Sequence, residues 1–452
     1  MTHSTLPSSP ASVPFGQALW FWFKLGFISF GGPAGQIGIM HQALVTERGW
    51  ISEKRFLHAL NYCMLLPGPE AQQLATYLGW LMHKTWGGVM AGLLFVLPSL
   101  FMLIGLSWAY ISFGDLPWVA ALFFGIKPAV IAIVLQAVHR IGSRTLHNRY
   151  MWGISAFSFI AVFVWHTPFP LIVCCAALAG WVLGKYVPGS LAVTGGHAID
   201  SSESVRPALI DDHTPTPDHA RFTWGRLLLV LLAAAVLWTL PMYLLWQAFG
   251  QSNTLLNMGW FFSKSALMTF GGAYAVLPYV YQGAVETFQW LTPQQMMDGL
   301  ALGESTPGPL IMIVAFVGFL GGHAHPVQTA YPLFGSAYLG AVVATWFTFL
   351  PSFIFILAGG PLVERTQNQL RFTAPLTAIT AAVVGVMFNL ALFFAYHVLW
   401  PQGWSGRFET NSALLTLACM MALIRMKWPV LRVLTASAVM GLLLNGQMHL
   451  PM

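Results

Sequence analysis

Nine stretches of this chain, at about 86–112, 117–139, 150–166, 168–187, 225–249, 331–358, 372–399, 411–425 and 428–448, are almost wholly apolar. Most match the ~20 residues a helix needs to cross ~30 Å of hydrocarbon, and two are short for it. Within lipid every backbone N–H and C=O must be paired inside the protein, which leaves helices or a closed barrel. Barrel strands alternate in polarity, and the run Leu227-Leu228-Leu229-Val230-Leu231-Leu232 does not. Composition agrees: 8% of the 452 residues are charged and 57% are hydrophobic, against roughly 25% charged in soluble proteins. A soluble globule could not cover its surface with so few charges. A soluble enzyme, a nucleic-acid binder and a disordered scaffold are thereby excluded, and the expected fold is an all-α polytopic membrane protein.

The remaining polar features are few. Cys63, Cys174, Cys175 and Cys419 lie in apolar stretches without metal spacing and read as reduced core residues. Residues 1–14 form a polar tail without the basic region of a signal peptide. Residues 188–224 hold Pro, Ser, Thr and mixed charges, the chemistry of a mobile cytoplasmic linker. Its His197, His213 and His219 read as solvated rather than metal-binding.

Four further apolar segments, at about 15–46, 54–83, 257–284 and 294–322, are cut in the middle. The cuts are Gly31-Gly32-Pro33, Pro67-Gly68-Pro69, Gly271-Gly272 and Pro307-Gly308-Pro309. Pro-Gly-Pro removes backbone donors and clashes with the preceding turn, so a continuous helix is not expected there.

The two halves are related. At an offset of 240, Lys24…Phe30-Gly31-Gly32 meets Lys264…Phe270-Gly271-Gly272, Trp50-Ile51-Ser52 meets Trp290-Leu291-Thr292, and Pro67-Gly68-Pro69 meets Pro307-Gly308-Pro309. After an insertion the match resumes at 253, Leu97-Pro98-Ser99 with Leu350-Pro351-Ser352. A shared offset over this distance marks an internal duplication. Each half (15–187 and 250–452) carries two broken segments and about four ordinary ones, and one extra helix, 225–249, joins them. An even number of crossings per half plus that helix gives two inverted-topology repeats, the architecture of secondary transporters. Loop charge orients them. With the N-terminus cytoplasmic and the broken segments spanning, twelve Lys and Arg fall inside and four outside; as re-entrant hairpins, fifteen fall inside and one outside. Re-entrant hairpins are the preferred reading, with broken spanning helices left open. Arg140 is counted here among the cytoplasmic-loop charges.

A helix that starts inside the membrane aims unpaired N–H groups and the positive end of its dipole at one spot, an anion site that needs no basic residue. Restarts are expected near Ala34, Glu70, Ala273 and Leu310, with Pro33, Pro69 and Pro309 in first-turn positions. Lys24 and Lys264, at equivalent places, could attract a divalent anion. Gln36, Gln72, Gln73, Asn61, Ser305 and Thr306 could hydrogen-bond its oxygens. Glu70 and Glu304 flank the two Pro-Gly-Pro cuts at non-equivalent positions and are candidate proton carriers or gates. Arg55, His58, Lys127 and Asp298 are weaker candidates of the same kind. Trp20, Trp22, Trp260 and Trp290 read as interfacial anchors. The chain carries no Walker A, haem, flavin or zinc signature, so neither a cofactor nor ATP hydrolysis nor enzyme chemistry is expected.

Three N-terminal motifs, Phe30-Gly31-Gly32-Pro33-Ala34-Gly35-Gln36, the run Asn61 to Ala75 around Pro67-Gly68-Pro69-Glu70-Ala71-Gln72-Gln73, and Phe95-Val96-Leu97-Pro98-Ser99, resemble those of the chromate ion transporter family. Phe270-Gly271-Gly272-Ala273-Tyr274 and Glu304-Ser305-Thr306-Pro307-Gly308-Pro309-Leu310 resemble the second-half versions, with no departure inside the motifs. The resemblance covers both halves and implies a long, two-domain bacterial member. It also implies export of chromate across the inner membrane, driven by membrane potential or proton gradient, with chromate resistance as the outcome. The site would comprise Gly31, Gly32, Pro33, Gln36, Pro67, Gly68, Pro69, Glu70, Gln72, Gln73, Gly271, Gly272, Glu304, Pro307, Gly308 and Pro309. Sulfate is the natural competitor. A sulfate/proton symporter, a passive anion channel and a chromate-reducing enzyme are the rival readings. Lipid is the expected surrounding, no nucleic acid is expected as partner, and a homodimer is a compatible assembly.

Overall fold

The computed structural model describes residues 13–186, 208–211, 218–251, 253–327, 333–365 and 373–446. Nearly all of the tail 1–14, and much of the linker 188–224 with His197 and His213, lie outside them. The first half opens with three helices too short to cross a bilayer: α1 (Phe15–Ile28), α2 (Gly32–His41, carried on by π-turns to Glu47) and α3 (Glu53–Leu65). It continues with α4 (Glu70–Phe113), α5 (Pro117–Thr145), α6 (Arg149–Trp165) and α7 (Phe169–Tyr186). After the linker comes α8 (Trp224–Phe249). The second half repeats the opening with α9 (Thr254–Leu267), a 3₁₀ turn at Ala273–Val276 leading into α10 (Leu277–Tyr281), α11 (Pro293–Ser305), and a 3₁₀ turn at Leu310–Met312 leading into α12 (Ile313–Ala324). It ends with α13 (Leu333–Arg365), α14 (Thr373–Leu399), α15 (Thr410–Ile424) and α16 (Val430–Gly446). Among these, α4, α5, α7, α8, α13 and α14 are long and apolar enough to span a membrane. The protein is an all-α, multi-pass membrane protein.

The breaks fall where the glycines and prolines put them. Restarts occur at Glu70, Ala273 and Leu310 as read from the sequence, and at Gly32 rather than Ala34. The loops between the broken segments are set by equivalent caps. The Ser52 hydroxyl accepts from Arg55 N at the start of α3, and 240 positions on Thr292 accepts from Gln295 N at the start of α11. Inside α4, His83 (φ −135°) and Lys84 (φ +57°) are non-helical, so its first arm and the following membrane-length stretch are separate helices.

At each cut the chain turns back. Trp50 lies 19 residues after Gly31 yet packs on Phe21, ten before it, with ring centroids 5.6 Å apart. The equivalent pair, Phe261 and Trp290, stands at 5.5 Å. Around Pro67-Gly68-Pro69, Tyr62 meets Tyr77 at 5.8 Å. Around Pro307-Gly308-Pro309, the Phe316 ring lies against Gly299. Two continuous spanning helices would hold these partners far apart, because each arm alone is ~20 Å long at ~1.5 Å per residue.

The loops joining the paired arms stand at opposite ends of the same long helix. The loop at 49–52 binds the linker: Leu209 N donates to Gly49 O at 2.9 Å, Ile210 N to Trp50 O at 3.1 Å and Ser52 N to Ile210 O at 3.0 Å. His219 Nε2 sits 2.9 Å from Trp80 O, close to the α4 kink. The loop around Trp290 instead shares a cavity with Tyr110 and Asp115, beyond the far end of α4. These described parts of the linker are thus docked on the first half, where the sequence reads as solvated and mobile. The aromatics divide as well: Trp20 and Trp260 are exposed as anchors would be, whereas Trp22 and Trp290 are buried in the core. Cys63 and Cys419 are buried and free, while Cys174 and Cys175 are exposed on α7 rather than in the core. α8 turns Leu228, Leu229, Leu232 and Leu240 outward, as a helix at the lipid boundary does.

Candidate functional site

The four breaks meet. Gly68 N donates to Thr269 O at 2.7 Å, and Gly308 N donates to Ser29 O at 2.8 Å. The two bonds correspond at the 240 offset, Gly68 with Gly308 and Ser29 with Thr269, so each Pro-Gly-Pro tip binds the carbonyl just before the Phe-Gly-Gly of the other half. The two tips also rest on the duplicated Leu-Pro-Ser motif. A Cβ on Gly68 would run into Ser352 Oγ, and a Cβ on Gly308 would lie 2.7 Å from Ser99 Cβ. Both glycines have positive φ, +130° and +102°, which any side chain would strain. These bonds alter one expectation: the Gly68 and Gly308 amides are occupied by the opposite repeat. The donors left to a ligand are the first-turn amides that follow.

The glutamines of the first half fasten this junction. Gln36 Nε2 donates to Gly308 O at 2.5 Å and to Ser29 O at 3.4 Å. Gln73 Nε2 donates to Pro67 O at 2.8 Å, and Gln72 Nε2 to Thr76 Oγ1 at 3.0 Å. Ser305 and Thr306 spend their hydroxyl protons on the α11 carbonyls of Leu302 and Gly303. By contrast, the buried hydroxyls of Ser99, Ser352 and Ser265 have no hydrogen-bond partner. A buried hydroxyl without a partner costs about 1–3 kcal/mol, and two of these, Ser99 and Ser352, lie against the Gly308 and Gly68 tips.

The carboxylates converge on one cation. Glu70, at the start of α4, stands beside Gly272: a Cβ there would lie 3.8 Å from Glu70 Oε1. Glu304, buried on α11, accepts a hydrogen bond from the Tyr274 hydroxyl. The Arg140 guanidinium lies over the Tyr274 ring, 5.5 Å from its centroid, and its charge acts on both Glu70 and Glu304. Arg140 belongs to α5, not to a cytoplasmic loop as the charge count has it. The reason is that α5 runs on past its most apolar stretch, to Thr145. Lys24 and Lys264 are exposed and stand outside this group. Asp298 pairs with Lys127 at 3.9 Å in a separate place, and His41 sits 2.6 Å from Glu53 on the first hairpin. Among the described residues no cluster of three or more His, Cys, Asp or Glu could hold a metal ion.

The sequence pattern that defines the Chromate transporter family matches residues 16–181 and again 256–442. A chromate transport protein of Pseudomonas aeruginosa is 34% identical over 390 residues, 85% of this chain and 82% of that one. One from Cupriavidus metallidurans is 28% identical over 380 residues, 84% of this chain and 82% of its own. An uncharacterized transporter of Bacillus subtilis is 26% identical over 141 residues, 31% of this chain but 71% of the relative.

The chain belongs to the chromate transporter family.

No solved structure matches it. Within this member of the family, the residues that sequence reading missed are Arg140, Tyr274, Ser99 and Ser352. A signal for the serines was available, since Leu-Pro-Ser recurs in both halves. Tyr274 lies in the Phe270–Tyr274 motif, but its meeting with Arg140 left no signal, because it depends on how α5 packs on the second-half break.

Proposed function

We propose that this protein is a secondary transporter that exports chromate, a tetrahedral dianion, across the bacterial inner membrane and so confers resistance. Its halves act as inverted repeats whose hairpins enter from opposite faces, with the N-terminus and linker cytoplasmic. What carries this reading, beside the family, is the convergence of all four breaks with Glu70, Glu304 and Arg140. First-turn amides, the Ser99, Ser352 and Ser265 hydroxyls and Arg140 would hold the oxyanion. Gly31, Gly32, Pro33, Gly271, Gly272 and Pro69 shape the breaks, and Lys24 and Lys264 supply long-range attraction. An inside-negative potential of 100 mV favours outward movement of each negative charge by about 2.3 kcal/mol, so a lone dianion gains about twice that.

The charges at the site favour a second reading. With both carboxylates ionised the group of Glu70, Glu304 and Arg140 carries −1; with both protonated it carries +1. Protons and dianion would then bind together, which is the requirement of symport, and sulfate uptake with two protons fits it. Uptake of labelled chromate into everted vesicles separates the two. Export driven by potential predicts saturable uptake that collapses when the potential is discharged and withstands loss of the pH gradient. Symport into the cell predicts no accumulation in energised everted vesicles, whose acid lumen drives the anion out. It predicts instead uptake into right-side-out vesicles that is lost with the pH gradient and strongly competed by sulfate. Flux that rises linearly with concentration would make the protein a channel, and absence of uptake in vesicles of either orientation would end the transport reading.

A further inference from the structure

A second group of charges lies away from the hairpin tips. Beyond the far end of α4 a cavity of about 380 Å³ is lined by Tyr110, Asp115, Lys127, Asp298 and His323 among others. Asp115 and Ala120, both in the lining, are exposed, so the cavity opens to the surface. At ~30 Å³ per water in the liquid, it has room for several waters. Two carboxylates outnumber one ammonium, so the cavity disfavours an anion and favours a proton. Asp298 is buried in its wall. The Tyr110 hydroxyl donates to Asp298 Oδ2 at 2.9 Å. Asp298 Oδ1 accepts no hydrogen bond, and Lys127 Nζ stands 3.9 Å from it. In the same lining His323 Nδ1, on α12, is likewise buried without a partner. Both unpartnered atoms belong to groups that gain and lose protons. Among the described residues, α14 and α16 also pack on α11 and bring no charged residue to the lining.

A buried ion pair that serves structure alone needs close geometry and further hydrogen bonds on the remaining lone pairs. Asp298 has one hydrogen bond and one long ion pair, and its surroundings also suit the neutral acid. Protonated on Oδ1, it keeps the Tyr110 bond on Oδ2 and turns its new O–H to cavity water. The Lys127 side chain, 26% exposed, is solvated by the same water. Both protonation states are thereby satisfied, but only the ionised one ties α11 to α5 through Lys127. The same two helices meet again at the tips, where the charge of Arg140 on α5 acts on Glu304 of α11. Lys127 precedes Arg140 by thirteen residues, about 20 Å, and Asp298 precedes Glu304 by six, about 9 Å. The cavity and the tips are therefore linked through one pair of helices.

We propose that Asp298 is the proton-loading group of the transporter, fed by this cavity from the face opposite the linker. A proton from cavity water forms an O–H bond at Asp298 Oδ1. The Lys127 ammonium, still charged, is released to that water, and the tie between α5 and α11 opens. The proton leaves when Lys127 returns to the carboxylate, and no electron moves in either direction. The proposal rests on the symport reading and names the group that admits the proton.

The test uses full-length protein. Infrared difference spectra of purified protein in lipid, between alkaline and acid buffer, should show a carboxylic-acid C=O band. Asp298→Asn should remove that band, and it should survive in Glu70→Gln with Glu304→Gln. In right-side-out vesicles, with labelled sulfate as probe and chromate in parallel, Asp298→Asn should lose uptake driven by an inward pH gradient. Exchange of labelled for unlabelled sulfate, which moves no net proton, should continue. Asp298→Glu should retain the pH-driven uptake. Because Asp298→Asn leaves Lys127 unpaired and could fail to fold, the deciding variant adds Lys127→Met, which removes both charges. Proton loading predicts that this double variant inserts normally, exchanges sulfate and ignores the pH gradient. A structural ion pair predicts wild-type pH-driven uptake in it. That result, or an infrared band unaltered by Asp298→Asn, overturns the proposal while symport stands. Wild-type uptake that saturates but ignores the pH gradient brings down the symport reading and the proposal together. Absence of saturable flux for both anions brings down the transport reading as well.

Discussion

The Gly308 amide crosses from one half of the molecule to the other to donate to the Ser29 carbonyl at 2.8 Å, and the Gln36 side chain closes the same junction. Together with the matching Gly68–Thr269 bond, it ties the tip of each hairpin to the break of the other half. The proposed ligand site and the packing of the halves therefore share residues.

Substituting Gly308 by Ala introduces two separable costs. Its φ of +102° strains an L-residue, by roughly 1–2 kcal/mol, and the new Cβ would press on Ser99 Cβ. Gly308→Ala should lower the unfolding temperature of the purified protein. Adding Ser99→Gly should restore only the contact part, leaving a residual loss from the backbone. Full recovery would mean that the φ requirement is unimportant.

Arg140 is the shared cation of the site, so its removal should be felt more strongly than that of either carboxylate. Arg140→Met removes the positive charge whose field reaches Glu70 and Glu304. Transport should be lost and thermal stability should fall. Arg140→Met with both glutamates changed to Gln should recover stability but not transport. Glu304→Gln alone should reduce kcat by about tenfold or more, with normal insertion.

Ser99 and Ser352 offer the reverse test. Their hydroxyls are buried without partners, so Ser→Ala at either should not destabilise the protein. If they donate to the oxyanion, each Ala variant should raise KM for chromate by several-fold, the worth of about 1 kcal/mol per lost hydrogen bond. Unaltered KM in both would remove them from the site.

Docking of the linker should weaken in acid. His219 donates from Nε2 to the Trp80 carbonyl, and its burial, with Arg226 and Lys84 nearby, lowers its pKa from the ordinary 6.5. The neutral ring is thus favoured in the docked state. Its contribution is complete above 6.5 and is lost as pH falls through the lowered value. Hydrogen exchange at the Leu209 and Ile210 amides, which bind Gly49 and Trp50, should speed up over that window beyond the intrinsic trend. His219→Gln, which keeps a donor that does not titrate, should abolish the extra acceleration.

The architecture was readable because lipid enforces it. Spanning lengths, the cuts at Gly and Pro, and the offset linking Gly68 to Gly308 all follow from one-dimensional rules of hydropathy and backbone sterics. Residue-by-residue roles were less accessible. Gln36 and Gln73 have the side chains of oxyanion ligands, yet they bind carbonyls of the junction, a choice set by packing between segments more than 200 residues apart. Arg140 was hidden for a related reason. Charge near the end of an apolar run looks like a loop residue unless the neighbouring carboxylates are known to face it. The docking of Ile210 beside Ile51 rests on three backbone bonds, which leave no mark in side-chain pattern.

The reciprocal bonds at the breaks also bear on how such a molecule can be assembled. A solitary half would leave its central glycine N–H with no acceptor in a non-aqueous interior and its opposing carbonyl with no donor. Neither half is self-sufficient, so a polypeptide severed within the linker should regain its shape only when both pieces are made in the same cell.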